Sequence, residues 1–503
     1  MSCALLSKRH YTDAQGRTDA PAALSVDILA SICDLLESPP FTKRTVLLKH
    51  EKNQSILALS RVCKPWYRRI TSCKSVFRDI AFDVSSEESI VTAGVFLKIL
   101  ERTTVPINVH ASLGQSRDPD PMLMRLFTQL RPHAPYIVHF EYDGDMARYR
   151  GYLDLPAPNL LFFSDSFDTY PGNGPPLFCG QTPRLRVLTT LSLASQIVWA
   201  TSTLSELTIL NLGFLDIEPC IPLGSFLNLL RGSPRLESVN VARFTPVINR
   251  NEDIRNVSLP RLHTLNLVHN EFHAIVKHLR IPNVRKLYFC GESHPSQHVG
   301  VSPTFEAQHL FAGLPILPIF ERPIEHILLK TTGNGTACAD FHLHLVADGG
   351  FVLRVLLFWV LDAVPLFDDY VKRSIAGLIR TMTLAPQAHV ELSHEYLISS
   401  DVPIYQPFLL AAGIDQLVIQ GGFAMDVLSK LTVRAGSQYL LPRLRFLTIA
   451  DWFPSSDEKT RKVLSSCLRS RVAGDVCFSV RLINTGAPCK DFDEREYIIE
   501  REF

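Results

Sequence analysis

Leu207-Thr208-Ile209-Leu210-Asn211-Leu212 and Leu262-His263-Thr264-Leu265-Asn266-Leu267 are two copies of one pattern, apolar-x-x-apolar-x-apolar. Further copies stand on both sides of them. Ile137/Phe140/Tyr142 and a degenerate Leu160/Phe163/Asp165 come first. At the next position Leu185/Leu188 and Leu188/Leu191/Leu193 are equally good registers. Leu236/Val239/Val241 and Val284/Leu287/Phe289 complete the run. The last two apolar positions of each copy are two residues apart, which is the period of a strand with one buried face. Copies begin about 22 to 29 residues apart, so the chain repeats one structural unit.

Several copies are introduced by a proline, at Pro158, Pro183, Pro234, Pro260 and Pro282. Proline there ends the preceding turn without removing a ladder hydrogen bond. Amphipathic segments at 223–230 and 274–279 lie between copies and would form helices on the outer side. Beyond residue 300 the pattern loosens. Ile324/Ile327/Leu329, Ile414/Leu417/Ile419 and Leu444/Leu447/Ile449 still fit it. Residues 341–347 alternate as a strand, Asp348-Gly349-Gly350 is a turn, and residues 352–360 return as a strand. Helices are expected over 370–382 and 459–471, then a strand near 476–483. The period is that of leucine-rich repeats, so the expected fold class is α/β, an irregular α/β solenoid over residues 133–485.

Ahead of the repeats, residues 24–82 form a helical module. Ile28, Leu29, Ile32, Leu35 and Leu36 recur at helical spacing, with Ser25 placed to cap the helix and Asp27 in its first turn. Ile56, Leu57, Leu59, Val62 and Cys63 make a second apolar set. Pro65 splits that run and suits the first turn of a third helix carrying Trp66, Ile70 and Phe77. Three short helices bury too little to stand alone, so the module needs a partner or a larger domain.

These residues resemble an F-box. Leu24, Ile28 and Leu29 match its opening, and Leu59, Ser60, Val62, Cys63, Lys64 and Trp66 match its second half. Ser25 replaces the family proline, Asp27 the glutamate, and Phe77 stands where tryptophan is common. Residues 38–54, with Pro39-Pro40 and Lys43-Arg44, read as an insertion between the first two helices. The order of an F-box, Leu100-Glu101-Arg102 leading to Pro106-Ile107, then irregular repeats resembles the large F-box group of mushroom-forming fungi. The resemblance implies a substrate receptor of a Skp-cullin-F-box ubiquitin ligase. Adaptor contact would fall on Leu24, Ile28, Leu29, Leu59, Val62, Cys63 and Trp66. The alternative is a non-catalytic scaffold that binds the adaptor outside a ligase.

The expected organisation is a loose leader over 1–20 and the helical module over 21–82. Linking helices and a strand follow over 83–132, then the repeats, then a charged tail over 486–503, expected to fray over 491–500. Within the link, Val91, Val95, Phe96, Ile99 and Leu100 are placed on one helix face. Residues 123–131 are placed in another helix.

Composition narrows the function. The 503 residues are 46% hydrophobic and 20% charged, which supports a sizeable core. A formal net charge of +1 gives no argument for a polyanionic partner, and no nucleic acid is expected. The eleven cysteines include no Cys-x-x-Cys and no signal-peptide pattern precedes them. Reduced thiols in a cytoplasmic or nuclear protein follow. The apolar run over 351–367 is interrupted by Arg354, Asp362 and Pro365, so no membrane partner is expected.

Candidate chemistry is sparse. Gly333-Asn334-Gly335 has Cys338 where a third glycine would stand, and reads as a surface turn. His342 and His344 share a strand face, but no third ligand is suggested nearby, so a solvated face is expected. His294 and His298 are separated by a Pro-Ser loop. Cys63 reads as a core or interface thiol. Lys64, Arg68, Arg69, Lys74 and Arg78 make the third helix basic, which suits either solvent or an acidic adaptor. No Gly-x-Ser-x-Gly or Walker loop occurs. A non-enzyme without cofactor or metal is expected, binding a Skp-type adaptor, through it a cullin, and a protein target. Target contact is expected on outward positions of the repeat strands: Ile209, Asn211, Asn240, Asn266, Lys286, Tyr288 and Phe446.

Overall fold

The computed structural model describes residues 44–62, 64–114, 120–144, 149–165, 177–190, 204–213, 220–242, 245–247, 254–268, 272–292, 317–333, 338–360, 382–394, 413–421, 424–432, 440–450, 458–472, 479–483 and 499–502. They make a mixed α/β protein with eight α-helices among these residues. The chain divides into two compact units, the first reaching Leu185 and the second running on from Arg186 apart from a short exchanged segment. The boundary therefore falls inside the stretch expected to form one array.

In the first unit the elements are α1 (Arg44–Ser60), α2 (Lys64–Ser72), β1 (Asp79–Asp83), α3 (Glu87–Ile99), β2 (Ile107–Gly114), α4 (Pro121–Leu130), β3 (Ile137–Gly144) and β4 (Phe162–Asp165). The four strands form a parallel ladder in chain order. Its rows run Ile80–Val109–Phe140–Phe163 and Phe82–Ala111–Tyr142–Asp165, all buried. The ladder thus begins at Asp79, well before residue 133. Ile80 and Phe82 belong to it although the apolar pattern there is too short to register as a copy.

Helices α3 and α4 lie between successive strands. Ser86 caps α3 by accepting from the Ser89 amide, with Glu87 and Glu88 in its first turn. Asp120 accepts from the Met122 amide and Pro121 opens α4. The buried face of α3 is Ile90, Ala93, Phe96 and Leu97, while Val91 and Val95 are exposed. Phe96 and Leu100 of the expected face are buried, whereas its Val91 and Val95 are not: apolar residues occur on both sides of this helix, so spacing alone leaves its rotation open. Phe96 meets Phe77 edge-on at 4.9 Å, and Phe127 of α4 meets Phe82 at 5.8 Å.

Residues 44–54, expected in an insertion, are helical and continuous with α1. Their run of Leu, Lys, Glu and Gln has good helix propensity, and it outweighs the proline pair upstream. The helix lies against β1, where the fully buried Asn53 donates to the Asp79 carbonyl at 3.0 Å.

The second unit holds β5 (Val187–Thr190), β6 (Ile209–Leu212), β7 (Cys220–Pro222), α5 (Leu223–Arg231), β8 (Ser238–Ala242), β9 (Thr245–Val247), β10 (Val257–Ser258), β11 (Thr264–Val268), α6 (Phe272–Val276), β12 (Leu279–Arg280) and β13 (Lys286–Glu292). It continues with β14 (Ile324–Gly333), β15 (Cys338–Ala347), β16 (Phe351–Val360), β17 (Leu384–His394), β18 (Ile414–Gly421), α7 (Ala424–Leu431), β19 (Phe446–Ala450), α8 (Glu458–Val472), β20 (Ser479–Ile483) and β21 (Ile499–Glu502). The first part is a parallel ladder β5-β6-β8-β11-β13 with Leu188, Leu210, Val239, Leu265 and Leu287 in one buried row. Thr190 is buried beside Leu188, which selects the Leu185/Leu188 register for that copy. Short parallel pairs β7–β9 and β10–β12 stand apart from this ladder.

The prolines sit in one recurring turn. The amides of Leu160, Leu185, Leu236, Leu262, Val284 and Leu444 donate to the carbonyls of Ala157, Thr182, Ser233, Leu259, Ile281 and Leu441, three residues earlier. Proline occupies the second position of each, where its fixed φ is pre-set for the turn.

After β13 the sheet order departs from chain order. β16, not β14, pairs with β13 in parallel. β15 lies antiparallel between β16 and β14, and β14 pairs in parallel with β17. The ladder then resumes as β17-β18-β19-β20-β21. Gly349 and Gly350, at φ 78° and 75°, make the tight β15–β16 turn expected there. The expected helix over 370–382 lies almost entirely outside the described residues. Within the stretch expected as a charged tail, Ile499–Glu502 form β21, paired with β20.

Arg471 near the end of α8 is buried. Its guanidinium donates to the carbonyl of Leu431 at 3.2 Å, to that of Leu441 at 2.9 Å and to that of Leu440. It thereby satisfies the last carbonyl of α7 and the turn leading into β19.

Candidate binding face

Side chains between the buried rows face the other way, and in-register pairing lines them up across strands. In the second unit one such row reads Thr189, Asn211, Asn240, Asn266, Tyr288, Arg354, His344, Leu328, Glu391, Val418, Thr448 and Arg481. The next reads Val187, Ile209, Ser238, Thr264, Lys286, Val352, Val346, His326, His389, Gln416, Phe446 and Ser479.

The sequence-predicted target residues all belong to these rows. Asn211, Asn240, Asn266 and Tyr288 are consecutive neighbours, with Ile209 and Lys286 beside them. Asn211 donates to the Thr189 hydroxyl at 3.0 Å, so the asparagine row is tied to the strand before it. Lys286 is exposed and Tyr288 half-buried, and the Arg354 guanidinium lies 5.5 Å above the Tyr288 ring. That cation–π contact fixes the ring against the sheet. Phe446 is 48% exposed, which rules out a core role, but it does not join this group. It lies six strands beyond Lys286 in the same row, roughly 29 Å away at about 4.8 Å per strand.

What separates them is a histidine-rich patch. The parallel β14–β17 pairing places His326 directly beside His389, with ring centroids 4.9 Å apart. Glu391 is two residues along β17, and the donor atoms of His326, His389 and Glu391 lie within 4.8 Å of one another. The Gln416 Oε1 is 3.1 Å from His389 Nδ1. Burial, reinforced by the neighbouring His389, lowers the pKa of His326, while Glu391 opposes it. His344 on β15 is 6.2 Å from His326 and is lowered by burial and by Arg354. The expectation of a plain solvated face for His342 and His344 considered only their own strand. His326 and His389 are 63 residues apart, and the reversed strand order brings them together. The only local signal was the doublet His389-Val390-Glu391 in a strand.

The first unit carries a matching doublet, His139-Phe140-Glu141, with His110 from β2 in register with Glu141. Here the neighbours differ. His110 Nδ1 lies 3.0 Å from Glu141 and the Lys49 ammonium 2.5 Å from His110 Nε2. Nδ1–H therefore donates to the carboxylate and Nε2 accepts from lysine. Burial pushes the His110 pKa down to about 4. Burial also lowers Lys49, against the pull of Asp79 and Glu141. Burial would raise Glu141, but the hydrogen bond from His110 and the His139 ring 3.5 Å away outweigh it and hold the carboxylate ionised. His139 stacks on Phe162 at 4.1 Å. α1 supplies Lys49, so the helical module closes over this cluster.

Of the adaptor-contact residues, Leu24, Ile28, Leu29 and Cys63 lie outside the described residues. Leu59 and Trp66 are half-buried on α1 and α2. Val62 is 61% exposed between the two helices, with Tyr67 at 53% close by.

No family model matches the chain, and no curated protein is significantly similar to it. Among the described residues no helix is long and apolar enough to cross a membrane.

Proposed function

We propose that the chain is an F-box-type receptor whose repeat region is a leucine-rich-repeat solenoid. The helical module binds a Skp-type adaptor, and the outward face of the repeat ladder binds a protein target. What supports the reading is the run Leu59-Ser60-Arg61-Val62-Cys63-Lys64-Pro65-Trp66, set at a helix break with Val62 and Tyr67 left in solvent. Exposed apolar groups beside a half-buried tryptophan are the composition of an interface anchor. The parallel ladder and its proline turns support the repeat assignment. The asparagine row, Lys286 and the Tyr288–Arg354 pair supply polar reach and aromatic area for a target. In this role the protein performs no chemistry. It raises the local concentration of target lysines near a charged conjugating enzyme.

The test is capture of a purified Skp-type adaptor by the full chain. Val62→Asp introduces a charge at a solvent-exposed position, so it should abolish capture while leaving the melting temperature unchanged. Undiminished capture by that variant would overturn the adaptor assignment. Co-purification of a cullin through the adaptor then separates a ligase receptor from a scaffold.

A further inference from the structure

We propose that His326, His389 and Glu391 form a zinc-type divalent metal site on the outward face of the second unit, bridging β14 to β17. Two imidazole nitrogens and one carboxylate oxygen, from two hydrogen-bonded strands, already stand within 4.8 Å of one another. Zinc bonds of about 2.1 Å in a tetrahedron put ligand atoms about 3.4 Å apart, so small side-chain rotations close the shell. The strand pairing holds the backbones at that spacing without the ion.

The surroundings suit a metal. Gln416 Oε1 takes the Nδ1–H of His389, which leaves Nε2 as the free lone pair. An outer partner of this kind orients a ligand histidine and sets its tautomer. Imidazole with one carboxylate selects borderline ions; magnesium and calcium demand oxygen shells. Three protein ligands leave a fourth position open for water or for a side chain of a bound protein.

The triad in the first unit provides the contrast. Its donor set is the same, but the Lys49 ammonium already occupies the His110 lone pair and places a positive charge beside it. Among the described residues no lysine or arginine is recorded as acting on His326. The second unit's triad is therefore the one that takes the ion.

Isothermal titration of the untagged full chain with zinc chloride tests this, with magnesium chloride as the control. One zinc per chain with at least micromolar affinity is expected, and no response to magnesium. Cobalt in place of zinc should give visible absorption of a tetrahedral nitrogen–oxygen site. His326→Ala with His389→Ala should remove binding, and Gln416→Ala should weaken it about tenfold. His110→Gln should leave the stoichiometry at one. Glu391→Gln keeps size and hydrogen bonding, so its loss of affinity with an unchanged circular dichroism spectrum separates ligation from folding. Absence of saturable binding, or binding that survives the double histidine variant, would overturn the proposal, as would loss of the ion in His110→Gln alone.

Discussion

Acidification should unfasten the first unit at His110. Its side chain is 2% exposed, between the Lys49 ammonium and the Glu141 carboxylate. Its pKa falls from 6.5 to about 4 on folding. A depressed histidine leaves stability intact above the unfolded value and removes it as pH falls towards the folded one, because the unfolded chain takes up the proton first. Going from about pH 7.5 to about pH 5, a group with these two values costs the fold about 2 kcal/mol. Stopping near pH 5 keeps most carboxylates ionised in both states. The assay is urea unfolding of wild type and His110→Gln at both pH values. Glutamine removes the titration and retains a polar side chain. Histidines outside the cluster contribute equally to both chains, and running both in a His139→Gln background removes the one that couples to His110, so the difference of differences isolates His110. Wild type should lose about 2 kcal/mol more than the variant on acidification. Equal losses would refute the buried neutral histidine and the lysine–histidine–glutamate order built on it.

Three further expectations follow from particular contacts. Arg471→Met keeps the volume but strips the donors from the Leu431, Leu440 and Leu441 carbonyls, and should destabilise the second unit by about 3 kcal/mol in denaturant titration; Arg471→Lys should recover only part of this, since lysine lacks the planar fork. Cys467 is buried, with its pKa raised to about 11 by burial, whereas Cys179 is exposed, so a thiol reagent at neutral pH should label Cys179 in the native chain and reach Cys467 only after unfolding. Tyr288→Ala with Lys286→Glu should weaken target capture while adaptor capture and melting temperature stay nearly constant, since both side chains project from the outward rows; unaltered target recovery would move the docking surface elsewhere.

The strand copies were the legible part of this molecule. Leu210, Leu212, Leu265 and Leu267 announce themselves because apolar alternation is local, and each copy lies buried as its period requires. The proline turns were half legible: the position of Pro234 or Pro260 was readable, but not the hydrogen bond across it. α3 was legible in position and only partly in rotation: Phe96 and Leu100 are buried, but the exposed valines at 91 and 95 carry the same apolar signal as buried ones. β17 went unread because Pro386 lies within its first half and, of its buried Ala388, Val390 and Leu392, only the last two carry a strong apolar signal. The His326–His389 pair could not be read at all. Its proximity depends on which strand neighbours which, and no local property of either segment encodes that order.

The reversed three-strand block has a consequence for how such a chain can change length. β14 and β16 both run in the direction of β13 and β17, with only β15 opposed. The block thus offers the rest of the ladder two edges of unchanged polarity. It behaves as a cassette: taken out, it would leave β13 and β17 able to meet edge to edge without either turning round. A strand hairpin alone could not do this, because its free edge would face the wrong way. Odd-numbered insertions of this kind let the ladder lengthen by a foreign element while every strand outside it keeps its heading. The patch that gathers at His326 and His389 lies on the seam between this block and β17.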